Sequence, residues 1–274
     1  MNCTLTKLNH LRSFASSSIR ALSVGSARSS DRESWLSKLL HVRTIDPGKS
    51  SHSITLADPK AEKIYELQVH NAYPKDRDQY ISAYEKYVAA IARKVSTAEH
   101  IGSWQVVIGD QDQFVHVWRH SAGYPSASDF VWAHVKDDEI RGLVADQNKL
   151  IRSRENTFML AFSFWGHPEP KANGGIYEMR SYILKPGTMS EWGNNWARGI
   201  TFRRENAVAG FFSQIGQLHM VHHFWTYKSL TDRKQTRERN WQKPGWDECV
   251  AYTVPLIREM RSRWLFALPF SPLK

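Results

Sequence analysis

The sequence predicts an α+β chain in which one β-α-β-β-α-β unit is written twice. Two observations carry this: short segments recur at a nearly constant offset, and both copies run through the same order of patterns. Ile64-Tyr65-Glu66-Leu67 returns as Ile176-Tyr177-Glu178-Met179, 112 residues on. Val115-His116-Val117-Trp118 returns as His222-His223-Phe224-Trp225, with His116 matching His223 at 107 and Trp118 matching Trp225. Leu150-Ile151-Arg152 returns as Leu256-Ile257-Arg258 at 106. Loop-length changes in a tandem duplication produce such a small drift. The Pro/Gly-rich stretch from Gly166 to Gly175 separates the copies.

Each element has its own signal. The first strands, 64–70 and 176–184, alternate apolar and polar residues. In the helix that follows, Ile81, Tyr84, Val88, Ile91 and Val95 form the expected stripe of copy one; Met189, Trp192, Trp196 and Ile200 form that of copy two. Thr188 and Glu191 have capping-box spacing after Pro186-Gly187. Two strands follow in each copy, near 103–109 and 113–119, then 210–216 and 219–227. A polar helical region comes next, and a last strand at 157–165 or 264–268; Pro269 places the final strand's end there or puts that strand on an edge. This order gives two tandem ferredoxin-like domains, 61–165 and 176–274, joined by the linker 166–175. Each antiparallel sheet has helices on one face, so the bare faces are expected to pack sheet to sheet as a pseudo-dimeric α+β barrel.

Composition bounds the function. The 274 residues are 41% hydrophobic and 23% charged, a globular balance. No run approaches ~18 apolar residues, so no transmembrane helix is predicted. Two cysteines, Cys3 and Cys249, exclude a disulfide framework and a multi-thiolate zinc site. Of the net charge of +10, four charges (Lys7, Arg12, Arg20 and Arg28) fall in the first thirty residues, which contain no acid. The remaining excess is modest, and nucleic acid is not an expected partner. Leu8, Leu11, Ala15, Ile19 and Leu22 share one helical face of that acid-free segment. Residues 1–30 therefore read as a mitochondrial presequence, and 31–60 as an extended linker.

Candidate chemistry gathers on the repeated strands. His116 and Trp118 share a sheet face, as do His223 and Trp225, because strands have a two-residue period. Glu66 and Glu178 lie opposite the tyrosine of each first strand, and Arg180 and Tyr182 continue the line of Glu178. If those faces point into the barrel, Glu178, Arg180, His223 and Trp225 line one pocket with Trp192 nearby, and Glu66, His116 and Trp118 its counterpart. A carboxylate beside an imidazole can do acid–base work near neutral pH. The alternative is a set of hydrogen-bonded groups filling the interface, which matched recurrence in both copies favours. No catalytic residue is therefore assigned. His222 and His223 point to opposite faces, so a shared metal is not expected, and no motif calls for a cofactor. The basic run Arg233 to Arg239 reads as a solvated helix face.

At this point the sequence resembles the NipSnap family. The stretches 191–200 (EWGNNWARGI), 210–218 (GFFSQIGQL), 221–225 (VHHFW), 162–170 (FSFWGHPEP) and 109–125 carry the resemblance, within a span covering nearly all of 60–274. It implies a mitochondrial, chiefly matrix protein with tandem domains of the dimeric α+β barrel type, exposed at the outer surface on damage. It further implies a role in mitochondrial quality control, with autophagy receptors and Atg8-type proteins as partners, and an older association with vesicular transport. No accepted catalytic set accompanies the family. Trp132-Ala133-His134-Val135 has the aromatic-to-aliphatic spacing of a linear Atg8-binding motif. Peripheral membrane contact and homo-oligomers stay open. The rival reading is an enzyme or small-molecule binder using the barrel cavity, monooxygenase- or isomerase-like, by fold analogy.

Overall fold

The computed structural model describes residues 63–169 and 175–274; the presequence and linker expected over 1–60 lie outside them. The first repeat runs β1 (Ile64–Ala72), α1 (Arg77–Lys94), β2 (Ala98–Ile108), β3 (Gln113–His120), α2 (Tyr124–Lys136), α3 (Asp138–Asn148) and β4 (Ile151–Ala161). The second runs β5 (Ile176–Leu184), α4 (Met189–Gly199), β6 (Ala207–Ile215), β7 (Met220–Tyr227), α5 (Leu230–Trp241), α6 (Trp246–Thr253) and β8 (Ile257–Ala267). The element order is the one the sequence predicts, with the second helical region split in two in each repeat.

The strands close into a barrel ordered β1-β3-β2-β8-β5-β7-β6-β4. Each repeat supplies four adjacent antiparallel strands, and the two sheets join where β2 meets β8 and β4 meets β6. Trp104 stands opposite Ala267 at one seam and Leu160 opposite Phe212 at the other. The faces meet as expected, and the joined edges leave no strand edge open. Among the described residues no helix is long and apolar enough to cross a membrane.

Alternation decides which side chains fill the interior. Tyr65, Leu67, Trp104, Val115, Val117, Tyr177, Met179, Phe211 and Phe224 form its apolar core. Arg263 spans the two repeats, donating from Nη1 to Gln113 Oε1 at 2.7 Å and from Nη2 to Ser181 Oγ at 2.7 Å. The opposite strand faces meet the helices, in one layer per repeat.

Three local expectations change. The buried stripe of α1 is Tyr80, Tyr84, Tyr87, Ala90 and Ile91, with Ile81 and Val88 only partly covered. Amphipathic tyrosines lie against the sheet because their hydroxyls find partners there. Thr188 makes no cap bond; its hydroxyl donates back to the Lys185 carbonyl at 2.7 Å. The last strands begin about six residues early, at Ile151 and Ile257. Their first halves look helical in sequence because both faces are exposed and polar, yet their backbones pair with β1 and β5. Capping does decide other ends: Asp137 accepts from Ile140 N at 3.0 Å and Ser229 from Asp232 N at 3.1 Å.

Candidate functional site

The repeated Glu, His and Trp residues share faces as predicted, but those faces point away from the barrel interior. Glu66, His116 and Trp118 look toward α1–α3, and Glu178, Arg180, His223 and Trp225 look toward α4–α6. The reason is partner supply. Inside the barrel a polar group meets mostly the apolar faces of other strands, whereas on the outer face polar strand neighbours such as Asn156 and Ser262 join helix side chains such as Tyr80 and Arg233 as partners.

In the first repeat the layer is closed by reciprocal hydrogen bonds. Trp118 Nε1 donates to the Tyr84 hydroxyl at 2.9 Å, which donates to Gln68 Oε1 at 2.7 Å. Gln68 Nε2 donates to Glu66 Oε1 at 3.0 Å, and Asn156 Nδ2 to the same oxygen at 2.6 Å. His116 bridges the Tyr80 hydroxyl at 2.9 Å and Ser103 Oγ at 2.7 Å, and its ring stacks on Tyr84 at 3.6 Å. The imidazole against Glu66 is that of His120, 3.2 Å away.

The second repeat is built differently at matching positions. Arg233, on α5, donates to both oxygens of Glu178, at 2.8 and 2.7 Å; Arg180 and Ser262 add bonds at 3.0 and 2.7 Å. Burial pushes this carboxyl up, but the Arg233 hydrogen bonds, the Arg180 charge and Ser262 outweigh it and hold it at about 2. His223 is fully buried among Phe162, Trp165, Tyr182, Trp192, Trp196 and Trp225. Neither of its ring nitrogens has a partner among the described residues. Burial, then the nearby Arg180 and Arg203, drive it well below the ordinary histidine range. His222 points the other way, to Ser181 Oγ at 3.0 Å, so the adjacent histidines share no ligand position. No group of three or more potential metal-binding side chains occurs among the described residues.

Beside His223 lies a cavity of about 300 Å³ between β5, α4, α5 and α6. Gly199 lets two of these helices approach: a Cβ there would sit 2.4 Å from Cys249 Sγ. Of the site residues expected from sequence, Arg180 and Trp192 line the cavity; Glu178, His223 and Trp225 stand behind its wall. Arg203, Arg237, Asn240, Trp246 and Cys249 line it and were not legible as site residues. The available signal was the density of tryptophan in the second copy. The basic run is only partly a solvated face, since Arg233 reaches Glu178 and Arg237 reaches the cavity.

Trp132 and Val135 are both exposed, but they sit within α2, and His134 between them bonds Tyr87 at 2.7 Å. The proposed linear motif is thus folded as a helix.

Fold and site together define a protein of the dimeric α+β barrel type, with two fused repeats and a cavity under the helices of the second. Within that class the chain belongs to the NipSnap family. The NIPSNAP family model matches residues 177–272, the repeat that holds the cavity. The chain is 50% identical over 261 residues to Protein NipSnap of Drosophila melanogaster, covering 93% of each. It is 43% identical over 279 residues to Protein NipSnap homolog 2 of Homo sapiens, covering 99% of this chain and 92% of the relative. Among solved structures it resembles a putative monooxygenase from Lactobacillus acidophilus (TM-score 0.56, 10% identity, 75% of this chain and 94% of that one). It also resembles an anthrone oxidase-like protein (TM-score 0.58, 10% identity, 75% and 91%). At that identity the likeness concerns the fold alone.

Proposed function

We propose that this chain is a mitochondrial interaction protein that acts without catalysis. In this reading it recruits autophagy receptors and Atg8-type proteins when the organelle is damaged. The observation that carries the reading is the fate of the duplicated acid–base candidates. His116 is spent between Tyr80 and Ser103, Glu178 is spent on Arg233, Arg180 and Ser262, and His223, though unpartnered among the described residues, is fully buried among aromatic rings. Groups so occupied hold a layer together and offer no proton to a substrate. The helical surface is available for partners: Val131, Trp132 and Val135 are about half exposed on α2. Because that stretch is helical, a partner would seat it as a helix face or unwind it.

Proximity labelling from the full chain, in intact and in depolarised mitochondria, tests this. Autophagy receptors and Atg8-type proteins should enter the labelled set on depolarisation. An identical set in both states would overturn the reading. The presequence is tested beside it: a chain lacking residues 1–30 should fold but fail to enter mitochondria.

A further inference from the structure

Four residues that line the second-repeat cavity carry a buried nitrogen with no partner among the described residues: Trp192 Nε1, Trp196 Nε1, Arg203 Nε and Asn240 Nδ2. All four are donors. The indole and guanidinium groups cannot accept, so Trp192, Trp196 and Arg203 cannot satisfy one another. An unanswered buried donor costs roughly 1–3 kcal/mol, and the wall around this cavity is rich in donors and poor in acceptors. The charges agree. Arg180, Arg203 and Arg237 line the cavity and no carboxylate does. Glu178 behind the wall is already engaged by Arg180 and Arg233. Arg237 makes no hydrogen bond or ion pair among the described residues, and burial with three neighbouring guanidiniums pushes its proton affinity down. Tyr182, Cys249 and Thr253 also line it, and the rest of the wall is apolar: Trp241, Trp246, Val250, Val254, Ile257 and Met260. Trp241, Val254 and Met260 are about half exposed and mark the mouth.

We propose that this cavity binds a small organic acid, an ionised carboxylate carried on an apolar ring or chain. The head pairs with the Arg237 guanidinium, and the body lies against the apolar wall. The volume is at the low end of small-molecule pockets, roughly 300–1,000 Å³, so a compact acid fits and a large cofactor does not. The other hollows lack this bias. The one at the barrel mouth, about 390 Å³, sets Asp110 and Glu155 among its arginines. The one under α2 and α3, about 470 Å³, contains Glu66. This site is independent of partner recruitment.

The test is titration of the full chain with 3-phenylpropionate and with its neutral counterpart 3-phenylpropanamide, read by tryptophan fluorescence and calorimetry. The acid should bind saturably with one site per chain, and the amide at least about tenfold more weakly, as expected for loss of a charge-assisted contact. Arg237→Gln, which removes no hydrogen bond or ion pair among the described residues, should keep the fold. It should weaken the acid about tenfold and leave the amide unchanged. Equal affinity for acid and amide, an Arg237→Gln variant that binds the acid as well as the parent, or no saturable binding at millimolar acid would each overturn the proposal. Displacement of the acid by equimolar inorganic phosphate would also overturn it, since an apolar body would then be irrelevant.

Discussion

Tyr80, Tyr84 and Tyr87 of α1 face the first sheet where Trp192 and Trp196 of α4 face the second. A phenol both donates and accepts, so Tyr84 can take the Trp118 proton and pass its own to Gln68. An indole only donates, so Trp192, Trp196 and Trp225 leave their N–H groups unanswered among the described residues. The same strands and the same Glu/His/Trp pattern therefore support a closed polar network in one repeat and a donor-lined cavity in the other. Duplication preserved the scaffold, and the choice of aromatic on one helix changed what it can bind.

Acid should break the comparison most severely. Burial lowers His70 to about 3 and His100 to about 4, and His116 also falls well below its usual range, all in the first repeat. In the second, burial and Arg263 lower His222 to about 3, and His223 is likewise depressed. The folded form keeps these rings neutral while the unfolded chain takes up protons below about pH 6.5. Their stabilisation is thus fully present above that pH and is lost as pH falls toward 3. Each contributes a slope of about 1.4 kcal/mol per pH unit in that window. Cooperative unfolding is expected near pH 5, and hydrogen exchange should rise in β1–β3 before β5–β7, because three of the five rings lie in the first repeat. Unchanged urea stability from pH 7 to 4.5 would contradict this.

Trp118→Ala and Trp225→Ala come next. Each empties a fully buried indole site, at a cost of about 3–5 kcal/mol. Trp118→Ala should cost about 1 kcal/mol more, because it also removes the hydrogen bond that the Tyr84 hydroxyl accepts. Urea denaturation of both variants gives the difference, and equal losses would remove the contrast.

How much of this was legible follows from where each signal resides. The duplication survives in the sequence itself, and period-two alternation placed Glu178, Arg180, His223 and Trp225 on one face. Alternation does not say which face meets helices, and the pocket was therefore assigned to the barrel interior. The interior took the apolar set, Tyr65, Leu67, Tyr177 and Met179, because the polar set finds its partners on its own face, from neighbouring strands and from the helices above. Arg233 lies 55 residues from Glu178, and nothing local distinguishes it from Lys234 until α5 is docked. Arg203 and Asn240 enter the cavity through the same long-range packing.

The smallest effect is the most discriminating among the histidines. His116→Leu removes two hydrogen bonds and should cost about 2 kcal/mol, whereas His223→Leu removes none and should be nearly neutral. Matching thermal unfolding curves check both, and equal losses would mean that His223 has a partner after all.

The most direct measurement follows individual indole N–H signals in the full chain labelled with nitrogen-15 tryptophan, as 3-phenylpropionate is added. The Trp192 and Trp196 signals should move together and saturate, while that of Trp118, already bonded to Tyr84, stays in place. Trp192 and Trp196 signals that remain fixed, or a Trp118 signal that moves equally, would contradict the division between a closed repeat and an open one.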